Sequence, residues 1–148
     1  MQTLSTRRFA ADDYARWYPL WREYQRFYEA DLPSTTSALT WQRLLDPAEP
    51  MQGLFALDGE RCVGFVHCIE HRSCWTPGNY LYLQDLYVAE DCRGRGAGRL
   101  LIEKVYEIAK VRGCSRVHWL TQETNTQARV LYDKVAERSG FIQYRRPL

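Results

Sequence analysis

Residues 80–98 read YLYLQDLYVAEDCRGRGAG, and this stretch decides the fold. Its first half, Tyr80–Val88, is nearly apolar on both faces, which is typical of a buried central strand. Glycines follow at 94, 96 and 98, and the apolar spacing beyond them predicts a helix over residues 97–112, capped by Gly113. We therefore expect a central strand, a glycine-rich turn and a helix N-terminus in direct succession.

The segments on either side of this stretch complete a mixed sheet. Before it, the pattern predicts a strand over 3–9, helices over 12–29 and 38–45, and a hairpin of strands 54–57 and 61–69 around an Asp-Gly turn. After it, the pattern predicts a strand over 115–120, a helix over 125–134 and a last strand over 141–145. The order β-α-α-β-β-β-α-β-α-β predicts an α/β fold of the α+β kind, in which helices cover both faces of a mixed sheet.

The first long helix carries an aromatic stripe. Its members, spaced by three and four residues, are Tyr14, Trp17, Tyr18, Trp21, Tyr24 and Tyr28. Such spacing places them on one face, so we expect the stripe to pack on the sheet. We also expect the C-terminal end of this helix, near Tyr28, to line the entrance to the substrate site.

Length and charge exclude several classes of protein. The 148 residues are expected to form one domain, residues 1–148. A net charge of +2 argues against a dedicated nucleic-acid binder. No apolar run approaches the ~18 residues of a membrane span, and the first residues lack the apolar core of a signal peptide. We expect a cytoplasmic protein with no membrane partner.

The five cysteines fit a reducing compartment, since their number is odd and no C-x-x-C pair occurs. A cluster of potential metal ligands lies in and after the second hairpin strand: Cys62, His67, Cys68, His71 and Cys74. Strand alternation sends Cys62 and Cys68 to one face and the two histidines to the other. We therefore expect no metal site.

The glycine-rich turn has the composition of a diphosphate site. Glycines allow positive φ and a close approach of the backbone to a ligand, and the following helix offers free N–H groups with a partial positive charge. Arg93, Arg95 and Arg99 add full charges. The P-loop and dinucleotide-binding patterns are both absent. The alternative is a plain surface turn, which would leave the arginines superfluous.

Two motifs resemble those of a known family. Arg93-x-x-Gly96-x-Gly98, preceded by the strand end 85–88 (DLYV), resembles the acetyl-CoA signature of the GNAT superfamily of N-acetyltransferases. Residues 119–135, WLTQETNTQARVLYDKV, resemble its second signature. Within the superfamily, LQDLYV and TQETN look most like the histone/polyamine acetyltransferase subgroup, although Gln84 stands where spermidine/spermine acetyltransferases look to carry an acid.

The resemblance implies a GNAT-like sheet that is splayed at the cofactor site, with acetyl-CoA as co-substrate and a primary amine as acceptor. Direct attack by the amine is favoured over a cysteine relay, because Cys92 and Cys114 lack a nearby His–acid arrangement in the sequence. The residues that it assigns to acetyl-CoA are Leu86, Tyr87, Val88, Arg93, Gly94, Arg95, Gly96, Ala97, Gly98, Arg99 and Asn125. Asn125 has a second interpretation as the N-cap of the last helix. The resemblance also implies that Tyr132 protonates the CoA thiolate, the alternative being a packed core aromatic.

Acetyl transfer to an amine also needs a base. An amine of pKa ~10.4 is neutral in only about one molecule in 2500 at pH 7, a handicap of roughly 4.6 kcal/mol. Asp85 is the first candidate, because an unpaired carboxylate in an apolar strand would be costly; its alternative is a structural hydrogen bond or ion pair. Glu123, just after the next strand, is the second candidate.

Two alternative functions stay open at this stage, and the partners and assembly are further expectations. A non-catalytic CoA-binding regulatory module would need the glycines and arginines but neither Tyr132 nor Asp85. A nucleic-acid or nucleotide-phosphate binder would use the arginine cluster of residues 93–99. For partners we expect a small amine or a lysine-containing peptide. We also expect a homodimer, in which the exposed last strand pairs with a second copy.

Overall fold

The computed structural model describes residues 3–148 and contains, within them, a five-stranded sheet in the order β1 to β5. The strands are β1 Leu4–Arg8, β2 Met51–Asp58, β3 Arg61–His71, β4 Tyr80–Val88 and β5 Arg116–His118. The helices are α1 Tyr14–Phe27, α2 Ser34–Leu45, α3 Ala97–Val111 and α4 Thr126–Val135. Neighbouring strands are antiparallel except β4 and β5, which are parallel, so the predicted mixed sheet is confirmed. None of the described helices is long and apolar enough to cross a bilayer.

Helices α1 and α3 lie on opposite faces of the sheet. The ring of Tyr87 on β4 lies 6.1 Å from that of Tyr24 on α1. The next residue, Val88, faces Gly98 of α3, where a Cβ would come within 3.9 Å of the valine methyl group. Consecutive strand residues point to opposite faces. The expectation of helices on both faces is therefore confirmed.

The aromatic stripe of α1 packs on the sheet as expected. Trp17 is fully buried and stacks on Trp21 at 5.5 Å. The Trp21 ring meets Phe65 of β3 edge-on at 6.1 Å. Large aromatic side chains bury the most apolar area per residue, so this contact is a principal anchor of α1.

Strand β4 separates from β5 halfway along its length. The two strands pair only from Tyr80 to Tyr82, opposite residues Arg116 to His118. Just beyond, β4 carries a bulge: Leu83 and Asp85 pair with consecutive residues of β3, so Gln84 is an extra residue. Residues 84–88 of β4 have no paired strand on their β5 side in the described chain. The predicted splay of the sheet is thus confirmed.

The structure corrects several predicted boundaries and one predicted element. Helix α2 begins four residues earlier than expected, at Ser34, and β5 ends two residues earlier, at His118. The last strand predicted over residues 141–145 is wrong: this segment is not in a strand, and Phe141, Ile142 and Tyr144 are 91%, 75% and 88% exposed. A strand needs a hydrogen-bonded neighbour, and β5 offers an edge of only three residues.

Candidate active site

The turn between β4 and α3 presents backbone N–H groups to the splayed side of the sheet. Gly94 and Gly96 have φ angles of 80° and 89°, a region that side chains disfavour. Gly96 is the N-cap of α3, so the N–H groups of the first helical turn, beginning at Ala97, have no intrahelical acceptor. Gly98 lies inside the helix, where it packs on Val88 and Leu131. The turn therefore combines free donors with the positive end of the helix dipole, which suits a diphosphate.

The three arginines of the turn are engaged with other protein groups. The Nε of Arg93 donates to the carbonyl of Val88 at 3.0 Å, and its guanidinium lies over the Tyr87 ring at 5.6 Å. Arg95 forms a 2.8 Å ion pair with Asp58, and the hydrogen bond and charge of Arg95 lower the pKa of that carboxyl. Arg99 pairs with Glu103 one helical turn later. All three arginines therefore have protein partners, whereas the first backbone N–H groups of α3 have no intrahelical acceptor.

Asp85 lies in a network of hydrogen bonds that spans the sheet and α1. Its Oδ2 is 2.9 Å from Nδ1 of His67 on β3, and its Oδ1 accepts from the hydroxyl of Tyr24 at 2.9 Å. On the far side of the imidazole, Nε1 of Trp17 donates to Nε2 of His67 at 2.9 Å. Asp85 therefore has the structural partners that the alternative interpretation required, and it stays partly accessible, with 15% of its side chain exposed.

Donor counting fixes the protonation pattern of this network. The indole nitrogen of Trp17 can only donate, so Nε2 of His67 must accept and Nδ1 must carry the proton. His67 then donates through Nδ1 to Asp85, as Tyr24 does through its hydroxyl. Two donors hold the Asp85 carboxylate in place. A carboxylate has about four lone-pair sites, so two remain for other donors.

Tyr132 lies on α4, which follows β5 in the chain. Its ring meets Trp119 edge-on at 5.4 Å, and Trp119 follows His118, which stacks on Tyr82 of the Asp85 face. Burial, and then the neighbouring Tyr28, raise the pKa of Tyr132 to about 12. Its hydroxyl is therefore a neutral donor at physiological pH.

Tyr24 donates to the carboxylate of Asp85, and its pKa also responds to Tyr132. Burial, the Asp85 charge, and more weakly Tyr28 and Tyr132 raise the pKa of Tyr24. Burial and the Asp85 charge likewise raise the pKa of Tyr28. The end of α1 thus lies beside Asp85 at the splayed part of the sheet, and its tyrosines interact electrostatically with Tyr132.

The remaining two predicted residues lie on the segment before α4. Asn125 is the N-cap residue, but its side chain makes no capping bond and instead contacts the Thr121 hydroxyl at 3.5 Å. Glu123 is at the surface, 81% exposed, and its carboxylate is 3.6 Å from Arg138. The structure therefore brings Tyr132 and Asp85 to one region and leaves Glu123 in an exposed ion pair.

Sequence reasoning missed the partners of Asp85. Tyr24 and Trp17 were assigned only to the packing stripe, and His67 only to a rejected metal cluster. One signal was available, because His67 and Asp85 lie on adjacent strands and both interrupt apolar runs. No group of three His, Cys, Asp or Glu side chains suited to a metal ion occurs within residues 3–148.

Comparison with known proteins identifies the class. The model of the acetyltransferase (GNAT) family matches residues 16–136. The D-amino-acid N-acetyltransferase of Saccharomyces cerevisiae is 38% identical over 136 residues, covering 90% of this chain and 84% of the yeast protein. The thialysine N-epsilon-acetyltransferase of Caenorhabditis elegans is 34% identical over 85 residues, 57% of this chain and 52% of the worm protein. A crystal structure of an aminoglycoside N-acetyltransferase with the bisubstrate analogue CoA-S-monomethyl-acetylneamine superposes with a TM-score of 0.86 at 16% identity, covering 99% of both chains.

The chain belongs to the acetyltransferase (GNAT) family. It is accordingly an acetyl-CoA-dependent N-acetyltransferase. Its own residues fit this co-substrate: the splayed strands leave the edge of β4 free, and the turn at Gly94 and Gly96 supplies backbone donors for a diphosphate.

Proposed function

We propose that this chain transfers the acetyl group of acetyl-CoA to a primary amine of a small molecule by direct attack, with the Tyr132 hydroxyl protonating the departing thiolate. The observation that carries the proposal is the placement of two groups around the splayed part of the sheet: Asp85 lies there on β4, partly accessible, and Tyr132 contacts Trp119, which follows the last residue of β5. A neutral donor and a carboxylate at one place are the two groups that the reaction needs.

The substrate class is inferred from the relatives and from the charge of the site. The yeast relative is named for D-amino acids and the worm relative for thialysine. A D-amino acid and thialysine both offer an amine, which is cationic at neutral pH. The Asp85 carboxylate favours a cation at that point. A small amine is our first choice, and a peptide lysine has the same reacting group.

Asp85 is proposed as the group that receives the amine's proton, directly or through one water. Two of its lone-pair sites are taken by His67 and Tyr24, which leaves sites for the substrate ammonium. Deprotonating the amine at neutral pH costs roughly 4.6 kcal/mol, and a positioned carboxylate offsets part of it. Glu123 is the second candidate, and its greater exposure makes it the weaker one.

The proton balance of the transfer closes on this chain's own groups. The substrate ammonium gives up two protons, one before the attack and one from the tetrahedral intermediate, and both pass through Asp85 to solvent. The new C–N bond replaces the C–S bond of the thioester. The Tyr132 hydroxyl donates one proton to the leaving sulfur and regains one from solvent. Acetyl-CoA supplies an activated acetyl thioester when bound. The free edge of β4 at Leu86, Tyr87 and Val88 is proposed to hold its acetyl and pantetheine portion by backbone hydrogen bonds.

The turn is proposed to hold the diphosphate of the co-substrate. Gly94, Gly96 and Ala97, with their neighbours Arg93, Arg95, Gly98 and Arg99, supply the backbone donors and the positive helix end. Arg95 and Arg99 already have carboxylate partners, so we assign them a weaker electrostatic role. Asn125 is proposed to contact the co-substrate from the start of α4, since its side chain is not used as a cap.

The test incubates the purified protein and acetyl-CoA with a panel of amines and measures turnover as release of the free CoA thiol. The panel holds D- and L-amino acids, ω-amino acids, polyamines, an aminoglycoside and a lysine peptide. We expect turnover with at least one small amine. Binding of CoA by calorimetry, with no turnover across the panel, would refute the proposal and favour a non-catalytic CoA-binding module.

We further propose that the chain is a homodimer in which residues 141–145 pair with a second copy. In one chain these residues are in no strand, although Phe141, Ile142 and Tyr144 are large apolar side chains left exposed. An exposed apolar segment with unpaired backbone N–H and C=O groups is a template for strand pairing with another chain. Light scattering at micromolar concentration should give the mass of two chains, and a strict monomer would refute this assembly.

We place the protein in the cytoplasm. All five cysteines are free thiols, and Cys68 and Cys92 are buried. Burial, and then the Asp85 charge, raise the pKa of the Cys68 thiol to about 12, which makes it unreactive. Free buried thiols of this kind fit a reducing compartment. Fluorescent tagging of the full chain in its host cell checks this placement.

A further inference from the structure

A second group of functional side chains lies on the Asp85 face of the sheet, beyond the bulge. We call it the imidazole cluster; it consists of His71, Tyr80, Tyr82, Arg116 and His118. His71 is opposite Tyr80, which is opposite Arg116, and Tyr82 is opposite His118, so all five share one face. His67, the partner of Asp85, lies two and four residues before Ile69 and His71 on the same strand, and so on that same face.

The two imidazoles are joined by a hydrogen bond with a defined direction. Nδ1 of His71 lies 2.8 Å from the carbonyl of Arg72, so it must carry a proton. Nε2 of His71 then accepts from Nε2 of His118 at 3.0 Å. In the neutral pair, Nδ1 of His118 is left with a lone pair. That nitrogen has no hydrogen-bond partner within residues 3–148, so it can take up a proton and donate to an anion.

The cluster carries positive charge without a counterion. The guanidinium of Arg116 lies 4.4 Å from the Tyr80 ring centre and has no carboxylate partner within residues 3–148. Glu70, adjacent to His71 on β3, points to the other face and is paired with Arg112 and Asn79. Burial, and then the charges of His71 and Arg116, lower the pKa of His118. The exposed guanidinium of Arg116 supplies donors suited to a carboxylate, whereas both nitrogens of His71 are engaged and Nδ1 of His118 donates only after it takes up a proton.

The cluster lies at a fixed distance from Asp85. Asp85 pairs with His67 of β3, and His118 pairs with Tyr82, which in turn pairs with Ile69 of β3. Measured along the strands, Asp85 and His118 are therefore two residues apart, or about 7 Å. Tyr82 fills the interval: its ring stacks on His118 at 5.0 Å and 11°. Burial, and then the Asp85 charge, raise the pKa of Tyr82. The surface between the two charged ends is therefore aromatic.

We propose that Arg116 and His118 bind the carboxylate of the acceptor, and that the preferred acceptors are ω-amino acids, whose amine and carboxylate are separated by several methylene groups. The amine would lie at Asp85, the chain over Tyr82 and the carboxylate at Arg116 and His118. In an α-amino acid a single carbon joins the two groups, which is too short for both contacts. This inference rests on the proposed acetyl transfer.

The test compares two acceptors that differ in one group. 6-Aminohexanoate and pentylamine share the amine and the five-carbon chain, and only the first has a carboxylate. We expect kcat/KM to be about tenfold higher for 6-aminohexanoate, the effect of a hydrogen-bonded charged pair. Arg116→Gln and His118→Gln should each lower the ratio of the two kcat/KM values toward one, mainly through KM. Arg43→Gln on α2, which removes an exposed charge far from the cluster in sequence and fold, should leave the ratio unchanged.

The outcomes separate the subsite from the activity. Equal kcat/KM for the two amines in the wild-type protein would refute the subsite while leaving acetyl transfer intact, and so would turnover of α-amino acids alone. A variant that loses the same factor with both amines, with an unchanged melting temperature, would also refute it. No turnover of any amine would refute both the subsite and the proposed function.

Discussion

Removal of the Tyr132 hydroxyl tests the proposed chemistry most directly. Tyr132→Phe deletes one oxygen and leaves the ring against Trp119. Deleting a single donor to a charge that develops in the transition state costs about 10²–10³ in kcat, or about 3–4 kcal/mol. We therefore expect kcat to fall about a hundredfold or more, with a smaller change in the KM for acetyl-CoA. The assay is steady-state release of the free CoA thiol at saturating amine.

A matched control separates chemistry from folding. Tyr106 on α3 also packs near Trp119, at 6.5 Å, and its hydroxyl donates to the carbonyl of Val135 at 2.7 Å. Tyr106→Phe should lower the free energy of unfolding by about 1 kcal/mol and leave kcat unchanged. The Tyr132 hydroxyl has no hydrogen-bond partner within residues 3–148, so Tyr132→Phe should leave the stability to urea unchanged. The two variants are therefore expected to show opposite effects.

The pH profile gives a second view of the same residue. With a pKa of about 12, Tyr132 is ionised in only about one molecule in a thousand at pH 9. The wild-type kcat should therefore show no alkaline loss from Tyr132 up to about pH 10. A Tyr132→Phe variant that keeps kcat within a factor of about three would refute the proposed role and leave Tyr132 as a packing residue.

Three further predictions concern the scaffold. Asp13, held by Arg7 and by the backbone N–H of Ala10, has a pKa lowered to about 2 from 3.8, chiefly by the hydrogen bond from Arg7. Because the pKa of Asp13 is depressed in the folded state, its ionisation contributes about 2 kcal/mol to the free energy of unfolding above pH 4, and this contribution is lost as the pH falls toward 2. Urea titrations should therefore give a lower free energy of unfolding at pH 3 than at pH 6. Asp13→Asn should abolish the part of this difference that comes from Asp13. In Gly96→Ala the added Cβ meets no other atom, but alanine at a φ of 89° costs about 1–2 kcal/mol of backbone strain. This variant should therefore raise the KM for acetyl-CoA. Gly140→Ala is the control: its φ of 82° is similarly strained, but it lies outside the turn, so the KM should not change. Trp17→Phe leaves the Nε2 of His67 unsatisfied and should lower the free energy of unfolding by at least about 1–3 kcal/mol; unchanged stability would contradict the hydrogen bond.

The elements that follow from local pattern were predicted well. Strand β4 was placed at its observed bounds, and α3 within one residue of its observed end, because burial on both faces and helical spacing are read along the chain itself. The helix over residues 38–45 was drawn too short, since its first turn, beginning at Ser34, carries no apolar residue to mark it. The last strand failed for a different reason: residues 141–145 alternate like a strand, but a strand forms only beside a partner.

The candidate site was predicted in its chemistry but not in its contacts. The role of Tyr132 came from a resemblance of motifs, whereas Asp85 and the glycine turn came from the residues themselves. The role of Arg95 was drawn from its charge alone, yet its guanidinium turns to Asp58, 37 residues earlier. A charge in the sequence carries no direction, because a long flexible side chain takes whichever partner the fold places within reach.

By itself, the sequence determined the central strand, the turn at Gly94 and Gly96, and the helix after it. These depend on side-chain alternation, on positive φ and on helix ends, all of which are properties of adjacent residues. The tertiary structure alone decided that Asp85 is held by His67 and Tyr24, 18 and 61 residues earlier in the chain. It also decided where β4 parts from β5, and that the imidazole cluster shares a face with Asp85. Hydrogen bonds between such distant residues depend on which strands become neighbours, and the packing of the whole sheet against α1 sets that arrangement.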